Sequence, residues 1–65
     1  MNPTKERANV ELDELKIRIN KLKRFVEGER ITTVSPEMAD LLRQQYAVMK
    51  EYYEILKKRI SLMED

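Results

Sequence analysis

Apolar residues recur along this chain in two runs, each with the alternating three- and four-residue spacing of a helix that buries one face. The first run is Ala8, Leu12, Leu15, Ile19, Leu22 and Val26. The second is Ala39, Leu42, Tyr46, Met49, Tyr53, Leu56, Ile60 and Met63. Both are coiled-coil-like seams, and the pattern predicts two helices, about residues 3–27 and 36–63, packed seam to seam. At ~1.5 Å rise per residue these are rods of roughly 37 and 42 Å. Both open in the same way: Asn2 before Pro3, and Ser35 before Pro36, read as an N-cap followed by proline at the first helical position. Met38 at the third helical position rules out a capping box in the second helix. Gly28 follows the first seam and is expected in a left-handed C′ position. The connection at residues 28–35, GERITTVS, is short enough to force an antiparallel hairpin, so residues 1–65 are read as one domain.

A second pattern lies on the second helix. Leu41, Val48, Ile55 and Leu62 recur every seven residues, with Gln45, Tyr52 and Arg59 interleaved. At about 100° per residue this stripe sits roughly 110° around the helix from the seam. Val10 and Ile17 point nearly opposite the seam of the first helix. A two-helix hairpin cannot cover these positions, and an apolar patch of that length is rarely left open on a monomer. The expected fold is therefore all-α: an antiparallel two-helix hairpin that assembles into a homo-oligomeric helical bundle. The interface would be Val10, Ile17, Leu41, Val48, Ile55 and Leu62. A dimeric four-helix bundle is the simplest closed form, and larger rings would also cover Val10 and Ile17.

Composition supports assembly and narrows the chemistry. A domain of 65 residues is short for a self-sufficient core and needs a disulfide, a metal or a partner. There is no cysteine and no histidine, which removes disulfides, thiolate sites, the commonest metal ligand and the commonest general base. No metal and no cofactor is expected. With no nucleophile–histidine pair and no phosphate-cradling glycine motif, the chain is not expected to be an enzyme. Lys and Arg number 13 and Asp and Glu 12, a net charge of +1 that gives no pull towards nucleic acid or an anionic membrane. Acidic residues precede basic ones along each helix, which suits the helix dipoles and cross-helix pairing in a hairpin. Without a secretory signal or an 18-residue apolar run, the expected location is the cytoplasm.

Against that background few residues are candidates for binding. Tyr46 and Tyr53 belong to the seam and read as core. Tyr52 lies on the second stripe, where its hydroxyl needs a partner at an interface. Gln45 and Arg59 interrupt the same stripe, either to fix the register of a bundle or to form a polar pocket. Lys21, Lys23 and Arg24 form a basic run that is a solvated face or an anion site. Arg24 projects from the side that bears Val10 and Ile17, where assembly could bring it near a neighbour. Thr32, Thr33 and Ser35 precede a helix N-terminus, but Glu37 and Asp40 oppose an anion there and Pro36 removes a donor.

The elements Lys21, Leu22 and Phe25 (KLxxF), Gln45, Met49 and Tyr53 (QxxxMxxxY), and Ile55, Leu56, Arg59 and Ile60 (ILxxRI) resemble a family of small helical-hairpin proteins of tailed phages, crAss-like phages included. The resemblance covers most of the chain and departs from it most at the tip, RITTV. It implies a phage-type protein, and small phage proteins of this kind often counter host defences. One such class sequesters nucleotide immune signals, cyclic nucleotides or cyclic ADP-ribose derivatives, in pockets between subunits. By that analogy Arg24, Gln45, Tyr52 and Arg59 would supply a platform for a base and donors for phosphate. The alternatives are a helical protein–protein interaction module and a structural assembly factor with no small ligand.

Overall fold

The computed structural model describes residues 3–63. Two helices, α1 (Pro3–Glu27) and α2 (Pro36–Leu62), are joined by a short 3-10 helix, Glu29–Thr33, at the tip. Proline at the first helical position suits both starts, because its missing N–H is one the helix could not have paired. The Ser35 hydroxyl caps α2 by accepting from the Met38 backbone N–H at 3.2 Å. The matching expectation at Asn2 lies outside the described residues.

The helices run antiparallel with their seams facing. Ala8, Leu15, Leu56 and Ile60 form the buried core, with Leu12, Ile19, Met49, Tyr53 and Met63 packed against it. The remaining seam positions, Leu22, Val26, Leu42 and Tyr46, are half-buried around a buried Ala39. Leu56 alone among the described residues is wholly enclosed, at 0% exposure. The hairpin measures 46 × 15 × 13 Å. Its radius of gyration is 14.8 Å, against about 11 Å for a compact globule of this length. One layer of side chains between two rods is therefore the whole interior, and each helix keeps most of its circumference in solvent.

Gly28 departs from the sequence reading. Its φ is −93° and its ψ −177°, an extended conformation rather than a left-handed one. The chain leaves α1 by stepping straight into the 3-10 turn, so no Schellman reversal is needed. Glycine is still required there, because a Cβ at this position would lie 2.8 Å from the Arg24 carbonyl oxygen. Thr32 and Thr33 close the turn locally: their hydroxyls donate to the carbonyls of Glu29 and Arg30, each at 2.6 Å.

Candidate functional site

The second stripe of α2 stands open. Leu41, Val48, Ile55 and Leu62 are 58%, 62%, 56% and 83% exposed, and Val10 and Ile17 on the back of α1 are exposed as well. Every seam residue is buried or half-buried, so one helix carries a covered apolar face and an uncovered one. Such contiguous exposed patches mark sites of association.

Tyr52 sits in this stripe, exposed on one flank of the hairpin. Its hydroxyl donates to Glu11 Oε1 of α1, so the partner that the sequence placed across an interface is found inside the chain. The bond to the Glu11 carboxylate raises the Tyr52 pKa above its usual 10, helped by desolvation and by the charge of Glu11, while Arg59 pulls the other way. The tether holds the hydroxyl end of the ring to α1 while the residue stays 37% exposed. A fixed aromatic face loses little entropy on meeting a partner or a ligand base.

The four sequence-predicted ligand residues do not converge within one chain. Tyr52 is level with Glu11. Gln45 lies two turns nearer the tip, about 10 Å along the axis, and its amide makes only a 3.8 Å contact with Met49 Sδ. Arg59 lies about 10 Å from Tyr52 in the other direction. Arg24 is some 13 residues tipward of Glu11, which puts roughly 30 Å of helix between it and Arg59. Gln45, Tyr52 and Arg59 thus form a row on one face, and Arg24 keeps different company. It lines a concavity of about 370 Å³ at the tip with Lys21, Phe25 and Arg30.

A larger open groove of about 860 Å³ runs along the flank opposite Tyr52, between Lys16, Ile19 and Asn20 of α1 and Ala47, Lys50, Tyr53 and Glu54 of α2. Lys16 and Lys50 are offset by Glu51 and Glu54 in its lining, so it has no preference for a charged ligand. Lys50 Nζ rests 4.4 Å from the centroid of the Tyr46 ring. This groove was not legible in the sequence, because its lining comes from both helices. Among the described residues no group of three acidic side chains could hold a metal ion, and no helix is long and apolar enough to cross a membrane.

Residues 2–62 match the Sequestin family. The chain belongs to the Sequestin family. It is also similar to a protein of Enterobacteria phage T4, described as an uncharacterized 7.5 kDa protein in the denB-rIIB intergenic region. The two are 42% identical over 55 residues, which cover 85% of this chain and 86% of the phage protein. No solved structure matches the chain significantly. The Sequestin match spans both helices and the tip, and with the T4 relative it places the chain among small phage proteins, as the resemblance in its helices implied.

Proposed function

We propose that this Sequestin family member is a non-catalytic cytoplasmic binding protein that self-associates through the second stripe of α2 and sequesters a nucleotide-type immune signal at the interface, blocking a host defence. The observation that carries the reading is the exposed row Leu41, Val48, Ile55 and Leu62 with Gln45, Tyr52 and Arg59 set into it. The family name speaks of sequestration, and the T4 relative is a phage protein, which supports a stoichiometric binder in phage-infected cells. A second copy is the occupant best suited to the stripe. The start of α2 is acidic (Glu37, Asp40) and its end basic (Lys57, Lys58, Arg59). Two α2 helices laid antiparallel put the acidic start of one in the same half of the interface as the basic end of the other, whereas a parallel pair sets like beside like. The antiparallel arrangement also brings Gln45 of one chain towards Arg59 of the other, with the two Tyr52 rings near the centre. The interface then offers aromatic faces at its centre and a guanidinium about 10 Å to either side, the chemistry that a base and a phosphate require.

Two measurements test this. Solution mass should exceed that of one chain. Thermal shift against cyclic nucleotides and cyclic ADP-ribose derivatives should reveal a ligand, since one present at ~100 times its Kd stabilises a fold by about 2.7 kcal/mol. A shift that Arg59→Ala and Tyr52→Phe weaken, without loss of assembly, supports the interface site. An oligomer with no shift across the panel leaves a structural assembly factor. A monomer makes the stripe a groove partner for another protein's helix.

A further inference from the structure

We propose that the tip of the hairpin is a binding site for a phosphate-bearing anion, with the diphosphate group of a nucleotide as the ligand class, formed by Lys21, Arg24 and Arg30 around Phe25. The site lies within one chain and does not depend on the interface reading. Its four residues line one concavity of about 370 Å³, within the roughly 300–1,000 Å³ usual for small-molecule sites. Three of them are cations and the fourth is aromatic; no carboxylate shares the lining. None of the three cations makes an ion pair with a described residue, whereas Arg43 does pair with Asp40 at 3.5 Å.

Helix polarity does not account for this. Lys21 and Arg24 fall in the last two turns of α1, where the dipole presents about half a negative charge. That fraction cannot offset three full positive charges, and Arg30 comes from the 3-10 turn rather than from α1. The fold adds the third charge by turning Arg30 back over α1, where its guanidinium stacks on the Phe25 ring, 5.8 Å from the centroid. Stacking on the ring orients the guanidinium and leaves its N–H edge free to donate to phosphate. Lys21 and Arg24, one turn apart at i and i+3, point to the same place. An anion relieves the mutual repulsion of the three groups, and two phosphates match their charge better than one. Gly28 lets the chain make this turn, since a Cβ there would lie 2.8 Å from the Arg24 carbonyl oxygen.

Calorimetric titration of the full chain with pyrophosphate and with ADP tests the assignment. Arg24→Gln and Arg30→Gln should each raise Kd by about 10-fold or more, the usual worth of a charged hydrogen bond. Lys58→Gln removes the same charge at the far end of the rod and should leave Kd within about twofold; all three sites are exposed, and circular dichroism melts should coincide. ADP binding tighter than pyrophosphate assigns the base to the Arg30–Phe25 stack, and equal binding assigns the site to phosphate alone; both support an anion site. No binding of either probe at millimolar concentration overturns it. Equal loss in all three variants also overturns it, since that is non-specific attraction. Binding unmoved by Arg24→Gln and Arg30→Gln but weakened by Arg59→Gln overturns the tip site and leaves the interface reading intact.

Discussion

Val48→Gln separates the two apolar faces of α2. Val48 is 62% exposed in the single chain and lies off the seam, so the hairpin gains little from it. Glutamine is at least as good a helix former as valine, and the isolated hairpin should keep its stability. If a second copy covers the stripe, however, the remaining surface of Val48 is buried on association. Full burial of such a side chain is worth about 1.5–3 kcal/mol, so six-tenths of it is about 1–2 kcal/mol. A two-fold symmetric contact counts that twice, about 2–4 kcal/mol per dimer. At ~1.4 kcal/mol per decade the dimer Kd should rise roughly 30- to 700-fold. Sedimentation equilibrium over a concentration series reads this directly. The wild-type melting temperature should also rise with concentration, and that of the variant should not. A wild-type chain that stays monomeric throughout, or a Val48→Gln chain that associates as tightly as wild type, would refute the reasoning.

Leu56→Ala should cost about 2–5 kcal/mol in urea unfolding, because Leu56 is fully enclosed and the single-layer core has little to collapse with. For 65 residues that is comparable to the whole stability, about 3–10 kcal/mol, so the variant should be largely unfolded at low concentration. A melt like that of wild type would mean that the core lies elsewhere. Gly28→Ala should cost about 1–3 kcal/mol, since its Cβ would meet backbone, the Arg24 carbonyl oxygen, at 2.8 Å. A neutral or stabilising effect would show that the tip yields easily. In ultraviolet titration one of the three tyrosines should ionise above the ordinary range near 10, and Glu11→Gln should lower it again. The sign follows from linkage: a pKa raised in the folded state gives stability that is complete below the unfolded pKa and lost as pH rises through the folded one. Three tyrosines that titrate alike would remove the Glu11 tether.

The two helices were legible because each seam is a long unbroken periodic pattern, and burial follows it: Ala8 through Val26 and Ala39 through Met63 are covered, while the second stripe is not. The tip was harder. A lone glycine after a seam suggests a left-handed cap, but the deciding fact is how close a Cβ there would come to the Arg24 carbonyl oxygen, and no spacing rule encodes that. The same limit applies to Arg30 and Phe25. Phe25 was visible only as part of a motif, and Arg30 as part of a divergent loop, because their meeting depends on how a 3-10 turn folds back. Arg24 was singled out for its direction from α1, and in the folded chain it lines the tip concavity with Lys21, Phe25 and Arg30.

These placements bear on what the family resemblance can carry. Gln45, Tyr52 and Arg59 occupy one helical face by sequence periodicity alone, so any chain that keeps the second stripe can keep them. The tip cluster depends on an exact turn, because Arg30 reaches the Phe25 ring only through the 3-10 segment. If both sites bind phosphate, the interface row rests on helix periodicity and the tip on one turn conformation, so the tip is the more sensitive of the two to local sequence. Ligand preference should then move with the residues at positions 28–33 rather than with the heptads. Grafting the tip of a relative onto this hairpin should change which phosphate ligand is held while leaving assembly unchanged.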